Sequence, residues 1–522
     1  MISVHTWRRV RITVSSITLV VVSALFLDIT NRIPPSWKAV VTALQFGPAL
    51  IATISSIGFV VIGLLFVTLL TLLFGRVYCS HLCPLGTLQD IIIWFRKKNY
   101  KHRTFPFHKT NYFAHYSITA LIILSAVGGN MFLLNLFEPF SNYGRILSSL
   151  VRPFVIGMNN IAAMLFTSTS AFGVAEIPLP GVSMWNVALP FLFLLLIIGF
   201  TVWRGRLFCN LLCPVGGILG LLSRFSFYKI RIQNEACIDC GLCERVCRAQ
   251  CIDCAARTID AAACVGCFDC IGSCPTDGMG YTMQRRSKPG SAHTIKEEQD
   301  RRILLLSLSS VLFDSTGLQT IVPPSIPLLS GYSEAKRTPV VPPGGRAQEH
   351  YEDHCTACHL CISSCPTHVL QPSFLEYGFA GILQPKMDYN VNYCNYDCTI
   401  CGEVCPTGAI EKLTLPEKKL VQLGKAVFVK EDCIVEVQKK DCGACSERCP
   451  TKAVKLVPFE TTLHIPQLEN DYCIGCGACE HACPTTPRKA IYVTPNVVHQ
   501  TAKKREEKRV EPQEATPQEF PF

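Results

Sequence analysis

Long uncharged runs fill the first two fifths of the chain, and short segments punctuated by cysteine fill the rest. Four apolar stretches are long enough to cross a bilayer core of ~30 Å, which needs about 20 residues. They are Ile12–Ile29, Leu50–Phe74, Tyr112–Phe137 and Val182–Trp203, the last with Pro190 inside it. A fifth, Ile146–Val174, is interrupted by Arg152 and Pro153 and is expected to be interfacial or re-entrant. Cations orient the spans. Arg8, Arg9 and Arg11 precede the first; Arg76, Arg96, Lys97, Lys98, Lys101, Arg103 and Lys109 follow the second; Arg204, Arg206, Arg224 and Lys229 follow the fourth. All three groups place the N terminus and the end of the fourth span in the cytoplasm. No small-residue cleavage site follows the first stretch, so it does not read as a cleavable signal.

A repeat marks the cytoplasmic ends of spans two and four. Gly75-Arg-Val-Tyr-Cys79-Ser-His-Leu-Cys83-Pro84-Leu-Gly86 matches Gly205-Arg-Leu-Phe-Cys209-Asn-Leu-Leu-Cys213-Pro214-Val-Gly216 at seven of twelve positions. Two halves related by a pseudo-two-fold axis along the membrane normal would bring four thiols to one face. Cys79, Cys83, Cys209 and Cys213 are therefore candidates for a redox or metal site, either an additional cluster or a reversible disulfide.

Beyond residue 230 the pattern belongs to cysteine. Residues 237–275 hold two Cys-x-x-Cys-x-x-Cys-x-x-x-Cys runs back to back. Three thiolates on one tight loop and a fourth leaving for its neighbour is the ligand pattern of paired iron–sulfur cubes. In that crossed pattern Cys237, Cys240, Cys243 and Cys274 hold one cube, and Cys264, Cys267, Cys270 and Cys247 the other. Arg248 stands where proline is expected, and Cys251 and Cys254 are surplus. Four further sets follow: Cys355, Cys358, Cys361, Cys365; Cys394, Cys398, Cys401, Cys405; Cys433, Cys442, Cys445, Cys449; and Cys473, Cys476, Cys479, Cys483, each with proline after its last cysteine. The longer loops of the inner two suggest nested pairing, first with fourth and second with third.

The six sets use 24 of the 30 cysteines. Zinc sites use two pairs parted by a longer loop, and loops this tight would strain disulfides, so six [4Fe–4S] clusters are expected, or seven with the membrane thiols. His354, His359 and His481 are expected to be exposed, or donors to cluster sulfur, rather than ligands. The net charge of +10 reflects membrane topology and a solvated surface; no basic patch with interleaved aromatics points to nucleic acid. No Gly-rich phosphate loop or nucleophilic triad appears, so no catalytic residue is assigned. What remains is one-electron transfer, with a lipid-soluble quinone as the expected substrate near the thiol-bearing face and a partner redox protein beyond. Tyr78, His81, Trp94 and His115 are candidate quinone neighbours, though each type is more often a packing or interfacial residue.

The expected organisation is an α-helical membrane domain of about four transmembrane helices followed by α+β ferredoxin-like modules. Residues 1–230 form the transmembrane domain, 231–285 a two-cluster domain, 286–350 a Pro-rich linker, 351–495 a four-cluster domain and 496–522 a disordered charged tail. The paired cysteine–proline loops with the two-cluster module resemble the NapH-type membrane polyferredoxins, a group that includes NosR-like proteins. Residues 338–495 resemble the NapG/MauM-type four-cluster ferredoxins. The resemblance implies quinol oxidation and electron delivery to a partner reductase or dehydrogenase at the inner (cytoplasmic) membrane. Relatives of the CcoG and NosR kinds imply, alternatively, a copper reductase or a redox regulator or assembly factor. Arg301-Arg302 before Ile303–Phe313 looks like the remnant of an export signal. Eleven apolar residues are too few to span, so residues 351–495 are expected in the cytoplasm, with the periplasm as the alternative.

Overall fold

The computed structural model describes residues 4–55, 59–99, 105–108, 110–166, 176–177, 184–283, 339–460 and 462–505. The expected segments around Arg301-Arg302 and beyond residue 505 lie outside these. The first half is helical and built twice. The first copy is α1 (Val4–Leu27), α2 (Pro35–Ala43), α3 (Phe46–Ser55), α4 (Phe59–Phe74), α5 (Tyr78–His81) and α6 (Pro84–Asn99). The second is α7 (Tyr112–Val127), α8 (Phe132–Phe137), α9 (Pro139–Ile146) running on through a π-helical turn into α10 (Arg152–Phe166), then α11 (Met184–Arg204), α12 (Leu207–Leu211) and α13 (Pro214–Ser223).

Among the described residues three helices are long and apolar enough to cross a membrane: Thr6–Leu27, Pro139–Leu165 and Met184–Arg204. Two of the four expected spans are divided. Leu50–Phe74 falls on α3 and α4, and Tyr112–Phe137 breaks after Val127, where Gly128 caps α7 and Gly129 takes φ +80°. Of the stretch expected to be interfacial, the described residues, 146–166, lie in one helix that runs from Pro139, and the rest lies outside the described residues. Pro153 has no N–H and cannot complete the regular ladder, and the wider turn at Leu147–Val151 sits directly before it. Arg152 is buried because it donates to the Ser363 carbonyl.

Each copy breaks a helix at a polar residue, and the two breaks meet. Gln45 lies between α2 and α3, Glu138 between α8 and α9. Gly47 packs so closely on the Glu138 carboxylate that a Cβ would stand 2.3 Å from its Oε1. The Tyr78 hydroxyl donates to Gln45 Oε1 at 3.2 Å and accepts the Phe46 N–H at 3.1 Å. Glu138 caps α9, accepting from the N–H groups of Phe140 (3.1 Å) and Ser141.

The cysteine-rich modules combine short helices with two-stranded antiparallel sheets. In the first, β1 (Tyr228–Ile232) pairs with β4 (Met279–Met283), enclosing the hairpin of β2 (Ile252–Asp253) and β3 (Thr258–Ile259). In the second, β5 (Leu370–Pro372) pairs with β6 (Pro385–Met387). Further on, β7 (Val421–Phe428) pairs with the closing β10 (Ile491–Thr501) around the hairpin of β8 (Val454–Glu460) and β9 (Leu463–Leu468).

Three helices touch one module at each end. At the start of α1, Arg8 pairs with Asp269 (3.2 Å) and Trp7 meets Phe268; at its other end Phe26 packs with Gly144 against the Cys358 carbonyl. On α7, Tyr112 donates to Asp260, while Gly129 past its end lies on Asp353. α11 begins with Trp185 stacked on Phe374 at 4.6 Å and is followed by Arg206, whose N–H donates to the Arg248 carbonyl at 3.0 Å. The 24 residues of α1 rise about 36 Å at ~1.5 Å each, so the two modules sit on opposite ends of the helical half.

Lys38, 2% exposed, fastens the second module by pairing with Asp28 (3.4 Å) and donating to Ser364 Oγ (3.0 Å). Removing the carboxylate strands a buried ammonium, a loss of about 3–5 kcal/mol. Asp28→Ala should therefore lower the thermal midpoint of the detergent-solubilised protein, and Asp28→Ala with Lys38→Met should recover most of it. A double variant as unstable as the single would show that the pair does not hold this contact.

Candidate functional site: thiol-lined centres

The repeated motif folds identically in both copies. The N–H of Cys83 reaches the Tyr78 carbonyl and that of Cys213 the Phe208 carbonyl, each at 3.0 Å, closing one wide turn. Pro84 and Pro214 then start α6 and α13, the position where a missing N–H costs nothing. The four thiols are buried, and the charge of Cys213 faces those of Cys79, Cys83 and Cys209. The expected convergence is therefore present.

The arginines of the motif cross over. Arg76 donates to the Cys209 carbonyl (3.0 Å) and stands 4.0 Å from Cys79 Sγ; Arg206 donates to the Cys79 carbonyl (2.9 Å) and stands 4.0 Å from Cys209 Sγ. The motif's last glycines make room: a Cβ on Gly86 would lie 2.2 Å from the Cys79 carbonyl oxygen, and one on Gly216 2.1 Å from that of Cys209.

Asp90 of α6 accepts from Arg11 (2.8 Å), Arg206 (2.8 Å) and Arg248 (2.9 Å), and Asp269 pairs with Arg248 (2.6 Å). Burial alone would push the Asp90 carboxyl up; Arg206, Arg248 and Arg11 outweigh it and hold it at about 2. Arg76 has only neutral partners beyond the thiols among the described residues, namely Asn210 Oδ1 (2.9 Å) and the Ala262 and Cys209 carbonyls, and its Nε is unpaired. A buried guanidinium demands an anion. Four cysteines ligating a cluster would supply it, and this donor set fits an anionic iron–sulfur group.

In the first module one cavity is lined by Cys237, Cys240, Cys243 and Cys274. Cys247 and Cys264 meet through Cys251, and both adjoin Cys267 and Cys270. In the second, a cavity is lined by Cys394, Cys398, Cys401 and Cys365, and another by Cys433, Cys442, Cys445 and Cys483. Cys405 stands beside Cys355, Cys358 and Cys361, and Cys449 beside Cys473, Cys476 and Cys479. The nested pairing is thus corrected: first pairs with second and third with fourth. The reason is the sheet pattern, in which β5–β6 links the first two sets and β7–β10 brackets the last two. Among the described residues no three His, Cys, Asp or Glu side chains close on one ion, as expected when each thiolate binds a separate corner of a cube.

The four regularly spaced sets share a backbone device. Positive φ recurs two and four residues after the first cysteine, at Asp239 and Gly241, Gly266 and Phe268, Ala357 and His359, Gly475 and Gly477. Alternating left-handed residues turn successive N–H groups inward as an anion-binding nest. Sequence reasoning missed a second device. Thr276, Thr367, Thr407, Thr451 and Thr485 each place a hydroxyl 3.2–3.8 Å from the preceding cysteine sulfur. The signal was there: Cys-Pro-Thr recurs five times.

The histidines differ from expectation. His359 is buried, with Nε2 at 2.9 Å from the Leu383 carbonyl and Nδ1 at 3.1 Å from Ser148 Oγ. Burial, reinforced by Arg145, holds its imidazole at about 3 and so neutral. It joins the module to the helices. His354 and His481 meet the His350 and Tyr389 carbonyls. Of the four candidate quinone neighbours, Tyr78 and His115 flank the buried thiols, His81 turns back to Ser80 and the Val77 carbonyl, and Trp94 is exposed on α6. They do not form one site. A cavity of about 330 Å³ lies elsewhere, where Phe74, Tyr228 and Tyr281 meet Arg76, Lys229, Arg231 and Cys264.

A family described as "4Fe-4S binding domain" matches residues 57–102 and 185–233, the two copies of the cysteine–proline motif. A family described as "4Fe-4S dicluster domain" matches 354–409 and 413–486, the same division as the pairing above. A protein of Methanocaldococcus jannaschii is 24% identical over 213 residues, 40% of this chain and 65% of its own. The methylamine utilization ferredoxin-type protein MauN of Paracoccus denitrificans is 25% identical over 198 residues, 38% of this chain and 55% of its own. The ferredoxin-type protein NapH of Haemophilus influenzae is 26% identical over 174 residues, 33% and 47% respectively. The chain thus spans about half the length of the last two. No solved structure matches it. Together these findings make the chain an iron–sulfur electron-transfer protein with membrane-type helices, similar to NapH and MauN ferredoxin-type proteins.

Asp90, depressed from its ordinary value, contributes stability that is present above the unfolded pKa of about 4 and lost as pH falls towards about 2. Asp90→Asn should cost several kcal/mol at pH 7, because three buried arginines lose their shared carboxylate. The gap between wild-type and variant melting temperatures should close on acidification between about pH 4 and pH 2. A gap constant across that window would show that Asp90 does not carry the charge balance.

Proposed function

We propose that this chain carries electrons across the bilayer, between a quinone-linked module on one side and the four-cluster module on the other. The observation that carries this is that α1, α7 and α11 each touch one cysteine-rich module at one end and the other at the opposite end. The positive-inside pattern then puts residues 231–283 in the cytoplasm and 339–505 in the periplasm. On this reading seven cubes are held by Cys237, Cys240, Cys243 and Cys274; Cys247, Cys264, Cys267 and Cys270; Cys79, Cys83, Cys209 and Cys213; Cys355, Cys358, Cys361 and Cys405; Cys365, Cys394, Cys398 and Cys401; Cys449, Cys473, Cys476 and Cys479; and Cys433, Cys442, Cys445 and Cys483. Such groups, when bound, supply reversible one-electron transfer.

The protein's part is to keep successive sets in contact. Ser80 donates to the Gly266 carbonyl (3.3 Å) and Arg76 to that of Ala262 (2.6 Å), tying the membrane thiols to the Cys264 loop. α9 fills the space towards the far module, its Gly144 pressed on the Cys358 carbonyl. The Cys394 N–H donates to the Cys476 carbonyl at 3.0 Å, joining the two halves of the four-cluster module. The 330 Å³ cavity suits a quinone headgroup: aromatic rings line it at the end of α4, Arg76 and Lys229 face a reduced, anionic oxygen, and Cys264 lies in its wall. Cys240, exposed at the tip of its loop, marks the face for a partner redox protein. The copper-reductase reading needs reachable membrane thiols, and all four are buried.

Anaerobic purification should give about 28 irons per chain, four for each of seven cubes, and Cys209→Ala with Cys213→Ala should lower this to about 24. A menaquinone analogue should reoxidise the reduced protein, and Tyr228→Ala with Tyr281→Ala should slow this at least tenfold without loss of iron. Protease applied to sealed vesicles of known orientation should reach residues 339–505 and 231–283 from opposite sides. Cleavage of both from one side would overturn the transmembrane route.

A further inference from the structure

The two surplus cysteines are placed as a pair. They flank β2, and each reaches a different thiol set. Cys254 Sγ lies 3.4 Å from Cys243 Sγ and lines the same cavity as Cys237, Cys240 and Cys274. Cys251 Sγ lies 3.6 Å from Cys247 Sγ and bonds the Cys264 thiol as well. Both separations exceed the ~2.05 Å of a disulfide by far, and both are short enough for either sulfur of a pair to reach the same iron corner. The β2–β3 hairpin fixes them: the Asp260 N–H donates to the Cys251 carbonyl at 2.9 Å and the Arg257 N–H to the Cys254 carbonyl at 3.2 Å, with Arg257 paired to Asp239 on the first cysteine loop. A two-residue strand therefore delivers a fifth thiol to each of two neighbouring centres. Cys247 lacks the following proline that keeps the chain out of the ligand shell; Arg248 stands there, tied to Asp90 and Asp269.

We propose that Cys251 and Cys254 are reserve ligands, Cys251 for the iron corner held by Cys247 and Cys254 for that held by Cys243. This rests on the reading of residues 237–274 as two cubes. In the exchange one iron–sulfur bond breaks and one forms, and the incoming thiol passes its proton to the leaving thiolate. No electron is gained or lost, so no oxidant is needed. The two cubes nearest the cytoplasmic surface thereby survive transient loss of a ligand that would otherwise open an iron corner to oxygen.

The test is iron content with EPR of the reduced, anaerobically purified full chain. Cys247→Ala and Cys243→Ala should each keep the wild-type iron content, with an altered EPR signal from the re-ligated cube. Cys247→Ala with Cys251→Ala, and Cys243→Ala with Cys254→Ala, should each lose about four irons. Cys267→Ala, whose thiol has no spare beside it, should lose them as a single variant. Single variants that lose as much iron as the doubles would overturn the proposal. Should the Cys247 and Cys243 variants fail to accumulate, Cys251→Ala with Cys254→Ala gives a second reading. It should hold full iron anaerobically and lose iron in air several-fold faster than wild type, and equal rates would overturn the proposal. A wild type with no iron at residues 237–274 would instead sink the cluster reading itself.

Discussion

A buried guanidinium with no carboxylate of its own is the constraint on which the helical half depends. Three buried arginines, Arg11, Arg206 and Arg248, share two carboxylates, Asp90 and Asp269, and beside them the buried Arg76 has none among the described residues. Such an excess is tolerable only beside negative charge, and the four thiols are where it can be found. The duplication then follows from geometry. Each arginine satisfies a carbonyl of the other copy, so neither copy is complete alone, and Gly86 and Gly216 are required because a Cβ would push the crossing arginine off its carbonyl.

The second constraint is backbone. A helix that breaks inside a bilayer exposes N–H groups that water cannot reach. Both copies break a helix, at Gln45 and at Glu138, and both answer with a side chain: Tyr78 Oη for Phe46, the Glu138 carboxylate for Phe140 and Ser141. α9 starts directly after the second break, and its Gly144 lies against the Cys358 carbonyl. The same residues that repair the backbone therefore carry packed protein from one module to the other.

The cysteine spacing made the thiol sets legible, because ligand loops are local and their geometry is written in a few residues. The paired motifs were legible for the same reason. What the chain did not disclose is non-local. Leu50–Phe74 has the hydropathy of one span, yet its described residues fall on α3 and α4, and α4 lies so close to α2 that a Cβ on Gly63 would stand 2.1 Å from the Ala43 carbonyl oxygen. Arg152 and Pro153 looked like an interruption, but Arg152 finds its partner in Ser363, 211 residues away. His359 looked exposed because its bond to Ser148 depends on docking and its bond to the Leu383 carbonyl on a partner 24 residues away. The nested pairing failed because loop length constrains closure only weakly, while β7–β10 pairing decides which sets share a unit.

Moving an electron through a bilayer means placing extra negative charge in a medium that screens poorly, and the cost of a buried charge falls when fixed opposite charges stand beside it. The buried cations lie where that cost is highest. Arg76 and Arg206 flank the membrane thiols, Arg248 faces Cys267, and Arg145 faces Cys355 and Cys358 at the other end of α9. Beside the more distant Cys237 set the cation is Arg257, paired with Asp239, and beside the Cys433 set the half-buried Lys489 donates to the Cys483 carbonyl. On the transmembrane reading, the arginines level a barrier that the lipid would otherwise impose. Arg76, with no carboxylate partner among the described residues, acts at full strength there, whereas Asp90 and Asp269 offset part of the charge of Arg206 and Arg248.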